Sequence, residues 1–139
     1  MLTRRMEELV RHQNPLCMPP GATVAEACAA MHRRRVGAVL VVEDGRLVGI
    51  FTGRDAVRCL ALGLDSVRTP LAQAMTRDPV CLGPQAQAME ALRLMTDGGF
   101  RHVPITEEGR VLGIVSRYDF RADEHRRMDE ETGFFENLR

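Results

Sequence analysis

From Pro15 onward the apolar positions fall into a fixed order. Leu16, Cys17 and Met18 form a short run stopped by Pro19-Pro20, long enough for a strand only. Val24, Ala27, Cys28 and Met31 then recur at intervals of three and four, the spacing of one helix face. Thr23, with Glu26 three residues on, predicts a capping box at the start of that helix. "GAVLVV" (37–42) and "RLVGIFT" (46–52) are aliphatic and β-branched runs separated by Glu43-Asp44-Gly45, which predicts a hairpin. A second helix is expected from about Arg54 to Leu62.

The same order returns after an offset of 64 residues. Residues 15–55 lie over 79–119 without a gap, and 14 of the 41 aligned pairs are identical, among them Pro20/Pro84, Gly45/Gly109, Gly49/Gly113 and Asp55/Asp119. The second copy supplies "PVCL", an apolar helix face of Ala88, Ala91, Leu92 and Met95, and the hairpin "HVPIT", "EEG", "RVLGIVS". Gln87 stands where Thr23 stands, so that helix lacks a capping hydroxyl. Its second helix is expected near Tyr118. The fold class is therefore α+β, two βαββα repeats with pseudo-twofold symmetry. The expected organisation is an N-terminal helical segment (1–13), a first repeat (14–64), a connector with a short helix near Leu71–Met75 (65–77), a second repeat (78–124) and a tail (125–139). The tail is expected to be helical to Gly133 and then to end in an apolar tip of Phe134, Phe135 and Leu138, which either packs on its own domain or meets a partner.

Composition narrows the function. The apolar fraction is 45% and the net charge is zero, so a core is feasible and bulk attraction to nucleic acid is disfavoured. All 19 basic residues are arginine, suited to bidentate phosphate contact. There is no Trp for base stacking. No apolar run reaches membrane-spanning length, and the N-terminus has no signal-peptide core. Cys17, Cys28, Cys59 and Cys81 form no C-x-x-C pair and are expected as buried reduced thiols of a cytoplasmic protein. His12, His32, His102 and His125 are scattered, with no zinc spacing. Arg33–Arg35 suits a solvated helix end. No nucleophile, base or acid pair has motif support, so no catalysis is expected.

The chemistry concentrates where each second hairpin strand ends: Thr52-x-x-Asp55 and Ser116-x-x-Asp119. A hydroxyl followed three residues later by an acid is a capping box, and satisfying orphan N–H groups is one reading. The other is a ribonucleotide corner. There a helix N-terminus and a hydroxyl meet phosphate, and the carboxylate takes the ribose diol as in dinucleotide folds. Gly49 and Gly113 leave room for a base against the strand, while Arg54, Arg117 and the pair Arg101-His102 supply cations within reach.

The doubled pattern Gly-apolar-x-Thr/Ser-x-x-Asp, in "GIFTGRD" and "GIVSRYD", resembles the cystathionine-β-synthase (CBS) domain pair, or Bateman module. "FRHVPI" (100–105) is similar to the family's second-copy strand, and the resemblance covers roughly Asn14–Glu124. It implies an adenosyl ligand (AMP, ADP, ATP, NAD or S-adenosylmethionine) in the cleft between the copies, and modules that pair as homodimers. Carried over by position, Asp55 and Asp119 hold ribose, and Thr52 and Ser116 lie near the phosphates. Met18, Pro20, Thr23, Gly37 and Ala38, with Leu82 and Gln87, frame adenine. The implied role is regulatory, by a change of shape or assembly, towards a downstream protein the sequence does not name. An unliganded interaction scaffold is the alternative.

Overall fold

The structure is a computed structural model that describes residues 4–137, with side chains to residue 131. Its chain divides into two compact units. One comprises Asn14–Val80 with Glu108–Val111; the other takes in the chain up to Gln13, Cys81–Glu107, and the chain from Leu112 on.

In the first unit, β1 (Cys17–Met18) runs parallel to β2 (Ala38–Glu43), and β2 pairs antiparallel with β3 (Arg46–Thr52). Asp44 and Gly45 close the hairpin at φ 52° and 77°, left-handed at both positions, as a tight two-residue turn requires. Between β1 and β2 lies α2 (Val24–Arg34), which buries Val24, Ala27, Ala30 and Met31. The Thr23 hydroxyl accepts the Glu26 N–H at 3.1 Å and donates to the Glu26 carboxylate at 3.2 Å. The expected box is thus half built, since Glu26 bonds the hydroxyl and not the Thr23 N–H. β3 leads into α3 (Gly53–Ala61). The connector adds α4 (Leu71–Ala74) and β4 (Thr76–Arg77), the latter antiparallel to β3.

The second unit repeats the plan. Leu82 bridges in parallel to Ile105 of β5 (His102–Glu107), which forms a hairpin with β6 (Arg110–Ser116) through Glu108 and Gly109 at φ 53° and 81°. α5 (Ala88–Gly98) buries Ala88, Met89, Ala91, Leu92 and Met95, and Gln87 gives it no side-chain cap.

Each unit is completed by a segment from outside its own βαββα repeat. In the first, the connector docks on the turn before α2: Leu71 N–H donates to Ala22 C=O (2.7 Å), Ala72 N–H to Pro20 C=O (3.0 Å) and Val24 N–H to Thr69 C=O (2.9 Å). In the second, residues 4–10, which include α1 (Met6–Val10), make the equivalent set. Met6 N–H donates to Ala86 C=O (2.9 Å), Glu7 N–H to Pro84 C=O (2.9 Å) and Ala88 N–H to Arg4 C=O (2.8 Å). Arg4 C=O thus meets the first N–H of α5, the helix without a capping hydroxyl. Leu71 and Met6 are fully buried in their respective cores, each contributing about 1.5–3 kcal/mol.

Three expectations are corrected. The second repeat has no helix starting at Tyr118. Arg117–Asp119 form a single 3-10 turn, Phe120 is extended, and α6 starts at Ala122. The cause is Phe120, buried in the core where the first repeat has Ala56; the larger ring needs the chain to break and turn inward. Secondly, α6 runs through Gly133 to Asn137; a glycine weakens a helix by about 1 kcal/mol relative to alanine but does not end it. The Phe134 and Phe135 side chains, and Leu138 altogether, lie outside what the structure describes. Thirdly, only Cys59 is buried; Cys28 and Cys81 are half-buried and Cys17 is exposed, and none of the four is in a disulfide. Among the described residues, no helix is long and apolar enough to cross a membrane.

Candidate functional site

The two hydroxyl–carboxylate corners sit at equivalent strand ends and are wired differently. In the first, Thr52 is extended and caps α3. Asp55 Oδ2 accepts both the Thr52 N–H (2.9 Å) and the Thr52 hydroxyl (3.1 Å). The hydroxyl accepts the Asp55 N–H in return at 3.4 Å. The remaining oxygen, Oδ1, accepts from Arg58 Nη1 at 2.9 Å, and Arg58 Nη2 is anchored on the Ala74 carbonyl of α4 at 2.6 Å. Asp55 is only 5% exposed and is the one buried charged residue among those described. Gly37 and Ala38 are brought to this corner: Gly53 N–H donates to Gly37 C=O, and Ala38 lies opposite Thr52. The Pro20 carbonyl accepts from the Ala72 N–H, and Thr23 bridges Pro70. Met18 stays on β1, paired with Val41. Arg54 is exposed, without an ion pair among the described residues.

In the second corner, Asp119 Oδ2 accepts the Ser116 N–H at 2.6 Å, and the Ser116 hydroxyl accepts the Tyr118 N–H at 3.3 Å. Asp119 is exposed, and its Oδ1 takes no hydrogen bond among the described residues. Position 122, where Arg58 would recur, is Ala122. The stabilising cation comes instead from the N-terminal segment. Arg4 Nη2 donates to the backbone carbonyl of Asp119 at 3.2 Å, and Arg4 pairs with Glu124 through Nε (3.2 Å) and Nη2 (2.5 Å). Burial pushes the Glu124 carboxyl up, but the Arg4 bonds, the Arg121 N–H and both guanidinium charges hold it below the ordinary value. His125 Nε2 donates to the Arg117 carbonyl at 2.8 Å and its ring meets Phe120 edge-on.

His102 is half-buried at the start of β5. Burial pushes its pKa below the ordinary imidazole value; the charge of Asp119 pulls it up, and Arg101 pushes it down. The net direction favours the neutral ring, which leaves Arg101 as the permanently charged member of that pair. Arg101 and Arg117 are exposed, without ion pairs among the described residues. Leu82 is held by backbone bonds to Pro104 and Thr106, and Gln87 bridges Arg5.

Two readings of the corners change. Gly49 and Gly113 do not make room for a base. A Cβ on Gly49 would meet the Met75 side chain and lie 3.0 Å from the Thr76 carbonyl; one on Gly113 would lie 2.6 Å from Val10 and Gln13. These glycines admit the docking segments, and Gln13 closes the second with reciprocal bonds to the Ile114 N–H and C=O. Nor does the second corner open a helix; a three-residue turn has no dipole to offer phosphate. Sequence reading missed Arg58 and Arg4. Arg58 was within reach of a simple signal, a cation three residues after an acid on one helix. Arg4 had none, being 115 residues from Asp119.

The CBS domain model matches residues 6–62 and 71–123, once over each repeat. The Arabidopsis thaliana CBS domain-containing protein CBSCBSPB3 is 38% identical over 113 residues, 80% of this chain; the chain spans only 20% of that relative's length. Among solved structures, the CBS domain protein PAE2072 from Pyrobaculum aerophilum, complexed with AMP, matches at TM-score 0.81 and 23% identity, over 91% of this chain and 99% of its own. The CBS domain pair of protein MJ0100, in complex with 5′-methylthioadenosine and S-adenosylmethionine, matches at TM-score 0.77 and 21% identity, over 85% and 93%. At these identities the two structures speak for the fold.

Proposed function

This chain belongs to the CBS domain family, and on that premise we propose that it is a regulatory module, not itself an enzyme, that binds an adenosyl ligand and signals by a change of shape or assembly. The observation that carries the reading is the second corner: an exposed carboxylate whose Oδ1 takes no hydrogen bond among the described residues, close to the Ser116 hydroxyl and to His102, with the exposed Arg117 and Arg101 adjoining them in sequence. That set suits a ribose diol next to an anionic or polar 5′ group. The ligands of the two similar structures, AMP in one and methylthioadenosine with S-adenosylmethionine in the other, have adenosine in common, which supports the adenosyl class. In this reading Asp119 and Asp55 are the ribose positions. Ser116, Arg117 and Arg101, with Thr52 and Arg54 in the first repeat, face the 5′ group. A ligand signals only through unequal binding to two states of the module.

Thermal unfolding with AMP, NAD and S-adenosylmethionine, each titrated alone, tests this. At a hundredfold excess over Kd the bound ligand stabilises by about 2.7 kcal/mol. The shift is absent when Asp55→Ala and Asp119→Ala are combined, each form being referred to its own ligand-free curve. No shift with any of the three refutes the reading. The scaffold reading has its own support: Val57, Leu60, Leu62 and Val67, on and just after α3, are 67–82% exposed, an apolar surface suited to pairing of modules. It yields an assembly that Leu60→Glu disrupts in sedimentation, with no nucleotide shift at all.

A further inference from the structure

Resting on the adenosyl reading above, we propose that the two repeats are not equivalent: the second-repeat corner at Asp119 is the ligand site, and Arg58 holds the first-repeat corner closed. A carboxylate has about four lone-pair positions. Asp55 has three engaged, by the Thr52 N–H, the Thr52 hydroxyl and Arg58. A vicinal diol presents two donors, so it cannot be served without displacing Arg58. That guanidinium is held from its other side by the Ala74 carbonyl, and the carboxylate it covers is buried.

The second corner has been freed by moving the cation. Its stabilising arginine arrives on the N-terminal segment and grips the Asp119 backbone carbonyl and the Glu124 carboxylate. The corner is held in place by its main chain, and the Asp119 side chain gives one oxygen to Ser116 and keeps the other open among the described residues. The two arrangements do the same structural work, with opposite consequences for a ligand. Arg58 is thus a residue that sets which repeat binds.

Calorimetric titration of the full chain with AMP, and separately with S-adenosylmethionine, tests the assignment. The expected stoichiometry is one per chain. Asp119→Asn, which keeps an acceptor for the Ser116 N–H at an exposed position, weakens binding by roughly tenfold or more through loss of a charged acceptor. Arg58→Met frees Asp55 and raises the stoichiometry to two. A wild-type stoichiometry of two at similar affinities, or Asp119→Asn binding like wild type, overturns the assignment of the site. An Arg58→Met chain that folds and still saturates at one overturns the role given to Arg58. Wild-type protein that binds neither probe overturns the adenosyl reading itself, a result distinct from the others.

Discussion

Replacing each corner carboxylate by alanine measures how differently the two are built. Asp55→Ala removes the carboxylate half of the capping box, with its bonds from the Thr52 N–H and hydroxyl, about 1 kcal/mol. It also removes the bond from Arg58. A charged hydrogen bond contributes about 1.5–3 kcal/mol, but the Arg58 side chain is 48% exposed, so solvent reduces this to about 1 kcal/mol. The sum is about 2 kcal/mol. Asp119→Ala removes one bond, from Ser116 N–H to an exposed acceptor, about 0.5–1 kcal/mol. Urea unfolding followed by far-UV circular dichroism separates the two. With a slope of about 2 kcal/mol per molar, the Asp55→Ala midpoint falls about 0.5 M further than that of Asp119→Ala. Adding Arg58→Met to Asp55→Ala then costs only the remaining bond to the Ala74 carbonyl, less than Arg58→Met costs in the wild-type background. Equal midpoints for the two alanine variants, or a larger loss at Asp119, would refute the claim that only the first carboxylate is locked into its unit.

Two titrations follow from the second unit. The folded-state pKa of Glu124 is depressed, so the folded protein holds that proton less tightly than the unfolded chain. The resulting stability is complete above the ordinary glutamate range near 4.5 and is lost as pH falls through the folded value; Glu124→Gln flattens that part of the profile, and an unchanged slope counts against the Arg4 pairing. His102 likewise has a depressed pKa, so it favours the folded state above 6.5 and progressively less as pH falls below it. In NMR titrations its midpoint lies below 6.5 and drops further in Asp119→Asn, because the carboxylate that favours the imidazolium is gone; a rise in that variant contradicts the proximity.

Much of this was legible in the chain. The gapless repeat carried the order of elements, and Asp44-Gly45 and Glu108-Gly109 carried the turns, because local chemistry alone selects them. The hydroxyl–acid spacing located both corners. What stayed hidden depends on distant segments. Residues 4–10 and 69–75 perform the same docking with no identical residue between them, since the bonds are made by main-chain atoms. Gly49 and Gly113 looked like room for a ligand because a bare strand position does not say what approaches it. The break at Phe120 was set by how large a side chain the core admits, which no periodicity reports.

The docking of residues 4–10 on the second unit has a consequence for biosynthesis. That segment leaves the ribosome well before the residues it bonds, 84–88, which are made about eighty residues later. At about 5–20 residues per second the wait is roughly 4–16 s. Meanwhile most of the first unit, Asn14–Val80, emerges as one continuous stretch and has its own connector in hand. Translation therefore lets residues 14–80 settle while residues 4–10 stay unmatched until the second repeat arrives to receive them.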